Sequence, residues 1–304
     1  MRAVLYPTIK LGDHWTVVGA LEAISNPYDP QDFSSTSYGI RGRVLLSVLE
    51  YSQVWNKASL VVRAGQMPST FGSFILRYDD ADNPLLTAPA AYGYYYDPVS
   101  TLGLAGVLAE VTAGKWDARA QLANSSPANP RSIFDKDQYG NWAGGIGYSV
   151  RQGLRIGASA YHGPYLDQHY PYYFPGEIQP SALPATGVGI DADWAAGHWN
   201  VRGEWQRYLM TYRAIPDFRQ NDGYVEAKRV LNARWFVAGR VGYLHTSVAS
   251  GNQTYEGAVG FRAARYELIK AGYWVSQPQQ NGETDKAFLF QFVTSVPSLS
   301  KAWK

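Results

Sequence analysis

Residues 199–206 read WNVRGEWQ, in which apolar or small residues alternate with polar ones. Successive side chains of a β-strand point to opposite faces, so one face carries Trp199 and Trp205 and the other carries Arg202 and Glu204. A soluble sandwich core would exclude charged residues from the middle of a strand. A strand with one face toward lipid and the other toward a water-filled interior accepts them.

The same period of two recurs along the whole chain, for example in the stretches 14–23, 116–122, 254–262 and 288–293. It predicts about fifteen strands, and roughly 9–11 tilted residues are enough for a strand to cross a bilayer. The predicted strands span 2–10, 13–24, 36–51, 57–67, 100–112, 115–125, 139–150, 153–163, 186–196, 198–212, 222–231, 234–246, 253–263, 265–276 and 286–296.

The connections between these strands alternate between short and long. The short ones lie near residues 11–12, 53–55, 113–114, 151–152, 197, 232–233 and 264. The long ones lie near 25–35, 68–99, 126–138, 164–185, 213–221, 247–252 and 277–285. Short turns at one end and long loops at the other are typical of outer-membrane β-barrels.

The composition of the 304 residues agrees with this class. Aromatic residues reach 14%, and charged residues are 17%, against roughly 25% in a typical soluble domain. The absence of cysteine excludes disulfide scaffolds and thiol catalysis. A net charge of +2 gives no case for binding nucleic acid. No apolar run approaches the roughly 18 residues of a membrane helix.

The order of the loops predicts where the chain ends lie. The last long loop precedes the final strand, so the C-terminus belongs to the short-turn end. Bacterial single-chain barrels have even strand numbers, so we expect one further strand and a signal peptide upstream of the residues given. A barrel of sixteen strands encloses an aqueous channel. Residues 1–304 are therefore expected to form a single transmembrane domain.

The connection 68–99 is far longer than the usual few residues and is rich in apolar and aromatic side chains. Such a segment is expected to pack against other parts of the protein, and we predict that it folds into the barrel lumen. Its run of tyrosines in 92–96 is consistent with packing against the barrel wall or with stacking on a sugar.

The segment from Val62 to Pro68, followed by Phe71-Gly72, resembles the Gly-x-x-x-Pro-Phe-Gly segment of bacterial putative porins and phosphate-selective-type porins. In this chain Ser69-Thr70 separate the proline from the phenylalanine. The alternation of loops over the whole chain is similar to that of the general porins. The resemblance implies an all-β, membrane-spanning antiparallel up-and-down β-barrel in the bacterial outer membrane, and a homotrimer. Phosphate-selective porins are lysine-rich, whereas this chain has 9 Lys and 18 Arg.

The resemblance also implies a pore constriction in which acidic loop residues face basic wall residues, because a narrow pore concentrates the field of its fixed charges. The candidates on the loop are Arg77, Asp79, Asp80 and Asp82. The candidates on the wall are Arg41, Arg43, Arg63, Arg119, Arg155, Arg202 and Arg262. Two alternatives remain open: the arginines neutralise carboxylates beside them, or Arg77 and the loop aspartates form an ion-paired anchor.

These features predict a porin in contact with outer-membrane lipid that passes small hydrophilic solutes, with a mild preference for anions. We expect no enzymatic activity, cofactor or metal, since neither G-x-S-x-G nor H-E-x-x-H occurs and the five histidines are scattered. One alternative is a barrel that binds a ligand or partner through the loops 164–185 and 213–221. Another is a membrane-embedded barrel enzyme.

Overall fold

The computed structural model of the chain describes residues 2–25, 40–74, 82–92, 104–123, 140–164, 184–211, 216–247, 251–278 and 282–295. Almost all of its regular structure is strand, with one short 3₁₀ helix at Ala90–Tyr92. The strands are β1 (Arg2–Leu5), β2 (Thr8–Lys10), β3 (Trp15–Ser25), β4 (Ile40–Val54), β5 (Ala58–Met67), β6 (Leu104–Ala113), β7 (Trp116–Ala123), β8 (Asn141–Arg151), β9 (Leu154–Pro164), β10 (Pro184–Ala196), β11 (Trp199–Met210), β12 (Phe218–Val230), β13 (Trp235–Thr246), β14 (Asn252–Ala264), β15 (Glu267–Pro278) and β16 (Asp285–Thr294).

The strands follow one another in a single sheet in chain order, from β1 through β3 to β16, and β2 pairs with β3 beside β1. The described pairings between successive strands are antiparallel; β11 and β12, for example, pair over their full lengths from Trp199–Arg229 to Met210–Phe218. This is the meander that the alternation of short and long connections predicted. The prediction of about fifteen strands is confirmed, because β1 and β2 are the two parts of the first predicted strand.

Two details differ from the prediction. The first strand is interrupted at Tyr6-Pro7, since proline has no N–H to donate to a ladder. Strand β12 begins at Phe218 instead of residue 222, because residues in the predicted loop 213–221 pair with the end of β11. The other bounds of the described strands agree with the prediction to within a few residues.

The two faces of the sheet have opposite character, and their burial is the reverse of that in a soluble protein. On β12, Val225 is 59% exposed whereas its neighbour Glu226 is 2% exposed. On β16, Phe288 is 88% exposed. We call the side that carries Glu226 the polar face and the side that carries Val225 and Phe288 the apolar face. Exposed apolar rows beside buried charged rows are the arrangement of strands that face lipid.

The described strands fall into two compact units. The first unit contains β1 to β7, and its apolar cluster is built from Val48, Met67 and Leu108. The second unit contains β11 to β16, together with the described residues 72–74 and 82–92 of the long connection. In the described residues, no helix is long and apolar enough to cross a membrane.

Candidate functional site

In the second unit, residues 82–92 of the long connection bind the polar face through Arg240 of β13 and Glu256 of β14, which face each other in the ladder. Arg240 Nη2 lies 2.7 Å from Glu256 Oε2 and donates to the Thr87 carbonyl (2.9 Å) and hydroxyl (2.6 Å). Glu256 accepts the N–H groups of Leu86 and Thr87 (2.8 and 3.2 Å) and the Thr87 hydroxyl (2.6 Å). Since Arg240 and Glu256 are buried, this clamp fixes the segment to the wall.

A second attachment comes from Lys270 of β15, which is 1% exposed. Its ammonium donates to the carbonyls of Asn83 (2.9 Å) and Leu85 (3.0 Å). Beside it, Leu86 packs where β15 has a glycine: a Cβ on Gly272 would lie 2.7 Å from Leu86 Cδ1 and 2.8 Å from the Gly257 carbonyl. The missing side chain at Gly272 is therefore what makes room for the segment.

The third attachment is the carboxylate of Glu204 on β11, which is 5% exposed. It accepts the N–H of Ser73 (2.8 Å) and its hydroxyl (3.1 Å). The Tyr92 hydroxyl donates to Glu204 (2.7 Å) and accepts from the N–H groups of Ser73 (3.0 Å) and Phe74 (3.2 Å). Phe74 also meets the Tyr224 ring edge-on, with centroids 6.3 Å apart. One wall carboxylate thus joins residues 73–74 to residue 92.

Gly72 is required by this arrangement. Its φ of +78° lies in the left-handed region that favours glycine. A Cβ there would lie 2.6 Å from Gln206 Nε2 and 2.8 Å from Glu204 Oε1. The Gly72 of the Pro-Phe-Gly-like segment therefore lets the chain pass close to the wall carboxylate.

Burial of the Tyr92 hydroxyl, reinforced by the charge of Glu204, raises its pKa well above the usual range. The phenol therefore remains an uncharged donor at neutral pH. Tyr92→Phe removes a group that donates one hydrogen bond and accepts others, which is expected to lower the free energy of unfolding by about 1–3 kcal/mol. The measurement is urea unfolding of the refolded chain in detergent micelles.

The matched control for this prediction is Tyr255→Phe, because the Tyr255 hydroxyl donates to Gln253 at an exposed position (2.8 Å). The control is expected to unfold at the same urea concentration as the parent chain. Equal midpoints for the two variants would contradict the role assigned to Tyr92.

Next to this segment the second unit has an open cavity of about 530 Å³. Asp82 and Pro84 line it from the connection, and Asn200, Arg202 and Lys228 line it from β11 and β12. The charges of Arg262 and Arg202 repel that of Lys228, whereas those of Asp82 and Glu226 attract it. We call Arg202, Lys228 and Arg262 the basic cluster.

In the first unit, the start of the long connection binds β7. Gln121 donates to the Pro68 carbonyl (2.9 Å) and accepts the Thr70 N–H (3.0 Å), while Arg119 donates to the Thr70 carbonyl (2.9 Å). Arg63 of β5 lies between two carboxylates, 2.7 Å from Glu50 and 2.5 Å from Glu110. The predicted wall residues Arg63 and Arg119 thus lie on the polar face of this unit.

The other predicted site residues are only partly described. Arg155 and Arg202 pair with Asp191 (2.6 Å) and Asp193 (2.9 Å). In the ladder Arg41 and Arg43 stand opposite Ile24 and Glu22, but their side chains lie outside the described part. The predicted loop residues Arg77, Asp79 and Asp80 and most of the loop 164–185 also lie outside the described residues.

The prediction from sequence missed the residues that hold the connection. It expected acidic loop residues against basic wall residues, whereas in the described part the wall carboxylates Glu204 and Glu256 accept hydrogen bonds from the connection. The alternation of apolar and polar residues could have identified three of them as polar-face residues, because each occupies a polar position of its own strand, as Arg202 does: Arg240, Glu256 and Lys270. No sequence signal named their partners.

The chain is similar to several solved outer-membrane proteins at low sequence identity. It matches the outer membrane channel DcaP of Acinetobacter baumannii at 11% identity over 96% of this chain and 84% of that one, with a TM-score of 0.62. It matches an anion-selective porin from Comamonas acidovorans at 13% identity over 97% and 84%, with a TM-score of 0.58. It matches a trimer form of OmpT, an outer membrane protein of Vibrio cholerae, at 11% identity over 98% and 87%, with a TM-score of 0.57.

No protein-family model matches the chain, and no curated protein sequence matches it. The structural likeness therefore establishes the fold: an all-β, membrane-spanning antiparallel up-and-down β-barrel of the porin type. The predicted fold class is confirmed. The predicted location, the bacterial outer membrane, agrees with the descriptions of the matched proteins.

Proposed function

We propose that this chain is a porin of the bacterial outer membrane, a passive channel for small hydrophilic solutes that prefers anions. In a barrel of this fold the polar face lines the lumen and the apolar face meets lipid. The fold shared with an outer membrane channel and with an anion-selective porin supports a channel. The proposed activity is diffusion through a fixed opening, without a chemical step.

The proposed preference for anions is supported by a comparison of the charged side chains on the polar face that have a partner of opposite charge with those that have none. Among the described residues, Arg240 lies between Glu226 and Glu256, and Arg202 pairs with Asp193. Lys228 and Arg262 have no carboxylate within 4.0 Å in the described part of the chain, and Lys228 borders the open cavity. Unpaired cations in a pore lower the energy of an entering anion.

The narrowest part of the pore is proposed to lie at the connection 68–99. We propose that this segment folds into the lumen, since its described residues bind the polar face through the Glu204, Arg240 and Lys270 attachments. Asp82 on the segment and the basic cluster on the wall would then face each other across the opening. Such a separation of charge orients polar solutes as they pass.

We propose that the chains assemble as a homotrimer. The support is the similarity to a protein described in a trimer form, which covers 98% of this chain. The outer-membrane lipid would surround the apolar face that the assembly leaves uncovered.

The test is the current through planar bilayers that contain the refolded full chain. We expect stepwise conductance, and under a gradient of potassium chloride a reversal potential whose sign shows that chloride is more permeant than potassium. Insertion without ion current would contradict the channel. Current with potassium more permeant than chloride would contradict the preference for anions and leave the channel intact.

A further inference from the structure

Toward the long-loop end of β12, the polar face carries a carboxylate and an amide that are completely buried. Asp222 and Gln220 both have an exposed fraction of 0%. Gln220 Nε2 donates to Asp222 Oδ2 (2.8 Å), which identifies the other atom of this amide as its carbonyl oxygen. In the described part of the chain, neither Gln220 Oε1 nor Asp222 Oδ1 has a hydrogen-bond partner. Two neighbouring side chains thus each leave one buried oxygen without a donor, which is unusual in a folded protein.

The side chains of β11 beside this pair donate their hydrogen bonds elsewhere. Gln206 stands opposite Asp222 in the ladder, and its amide donates to Glu204 Oε1 (2.6 Å). Tyr208 stands opposite Gln220, and its hydroxyl donates to Gln206 Oε1. The two free oxygens of the pair are therefore left to a group that β11 does not supply.

The carboxylate of Asp222 also lacks a counter-charge. Glu204 is its diagonal neighbour on the polar face, a position about 7–8 Å away, and the charge of Glu204 acts on Asp222. Among the described residues, no lysine or arginine lies within 4.0 Å of either carboxylate. On β13 the residue opposite Asp222 is the apolar Leu244. Because buried charges in proteins are paired or bind a metal ion, two carboxylates in this setting indicate a cation.

The chemistry of the free atoms indicates which cation fits. Carboxylate and amide carbonyl oxygens are ligands of the hard divalent ions calcium and magnesium. The described residues contain no group of three His, Cys, Asp or Glu side chains that could hold a metal ion, so water would complete the coordination of an ion at Asp222 and Gln220. Calcium accepts such irregular oxygen shells, whereas magnesium requires a near-octahedral one. The sequence predicted no metal, because these two residues match no ligand motif.

We propose that Asp222 Oδ1 and Gln220 Oε1 bind a calcium ion on the polar face of the second unit. The ion would also offset the charge of Glu204, whose own oxygens accept hydrogen bonds from Ser73 and Tyr92. Because Glu204 joins residues 73–74 and 92 to the wall, calcium is expected to strengthen this attachment of the long connection. The inference does not rest on the proposed function, since it concerns binding to the folded chain and not passage through it.

The test is equilibrium dialysis of the refolded full chain, in neutral detergent, against radioactive calcium. We expect about one bound ion per chain at about 1 mM free calcium, a concentration at which many extracellular sites bind. We also expect a higher urea midpoint in calcium than in the chelator EDTA. Asp222→Asn preserves the size of the side chain and is expected to bind calcium at least tenfold more weakly. The matched control is Asp285→Asn, because Asp285 is an exposed carboxylate on the same face at the long-loop end of β16.

Each result decides for or against the site. Absence of bound calcium from the parent chain at the same concentration would overturn the proposal even if Asp222→Asn failed to fold. Equal binding by Asp222→Asn and the parent, or an equal loss in the Asp285→Asn control, would also overturn it. Equal or tighter binding of magnesium would overturn the assignment to calcium. A urea midpoint that is insensitive to calcium and falls as the pH rises would show that a proton neutralises Asp222, again overturning the proposal.

Discussion

Replacing Arg240 by methionine is expected to lower the free energy of unfolding of the chain by about 3–5 kcal/mol, because removing one partner of a buried ion pair leaves its charge uncompensated. Two carboxylates depend on Arg240, those of Glu226 at 3.4 Å and Glu256 at 2.7 Å. The variant also loses the hydrogen bonds to Thr87. The measurement is the urea midpoint of the refolded chain in micelles, followed by tryptophan fluorescence.

The same variant is expected to change the pore, since the clamp on Thr87 holds residues 82–92 to the wall. We expect a larger and noisier single-channel conductance. The matched control is Arg234→Met in the exposed short turn before β13, which is expected to keep both the midpoint and the conductance of the parent. An Arg240→Met chain as stable as this control, with unchanged conductance, would contradict the clamp.

Replacing Lys228 by glutamate is expected to lower the ratio of chloride to potassium permeability roughly thirtyfold, because the substitution raises the energy of chloride and lowers that of potassium by the same amount. Two charge units at about 7 Å from an ion in a water-filled pore change its energy by about 1 kcal/mol. Lys228 is suited to this test because it borders the cavity near Asp82 and is repelled by Arg202 and Arg262. Reversal potentials in a salt gradient measure the ratio.

Two further variants make the Lys228 result specific. Lys228→Gln removes one charge unit and is expected to produce about half the shift in reversal potential. Lys57→Glu makes the same change of charge at an exposed position in the short turn between β4 and β5 and is expected to leave the ratio nearly unchanged. An equal shift for Lys57→Glu and Lys228→Glu would show that overall charge, and not the basic cluster, sets the ratio.

The sequence was sufficient to predict most of the fold, because a strand with one face toward lipid and the other toward water has apolar and polar residues in strict alternation. The stretch 199–206 predicted a strand over 198–212, and β11 spans Trp199–Met210. The prediction was wrong at the start of β12, where residues assigned to a loop form strand. Residues 218–221 read as loop, but they extend β12 because β11 offers partners for their main-chain groups.

The site was predictable only in part, for a physical reason. Parity identifies residues such as Arg202 and Arg63 as facing the polar side, and they do. Parity carries no information on contacts between residues far apart in the chain, such as those of Thr87 with Glu256 and Asn83 with Lys270. These depend on the path of the long connection, which has no periodic pattern.

The packing of Leu86 against Gly272 limits the substitutions that evolution can introduce at these two positions. A side chain added at position 272 would collide with Leu86 Cδ1 at 2.7 Å and with the Gly257 carbonyl. Only a smaller residue at position 86, together with some movement of β14, would absorb the addition. Among related chains the two positions are therefore expected to covary in size, and a glycine retained at 272 would mark chains that still carry a bulky residue at 86. An alignment of related sequences could thus show, without any structure being determined, whether the long connection packs against β15 at this position.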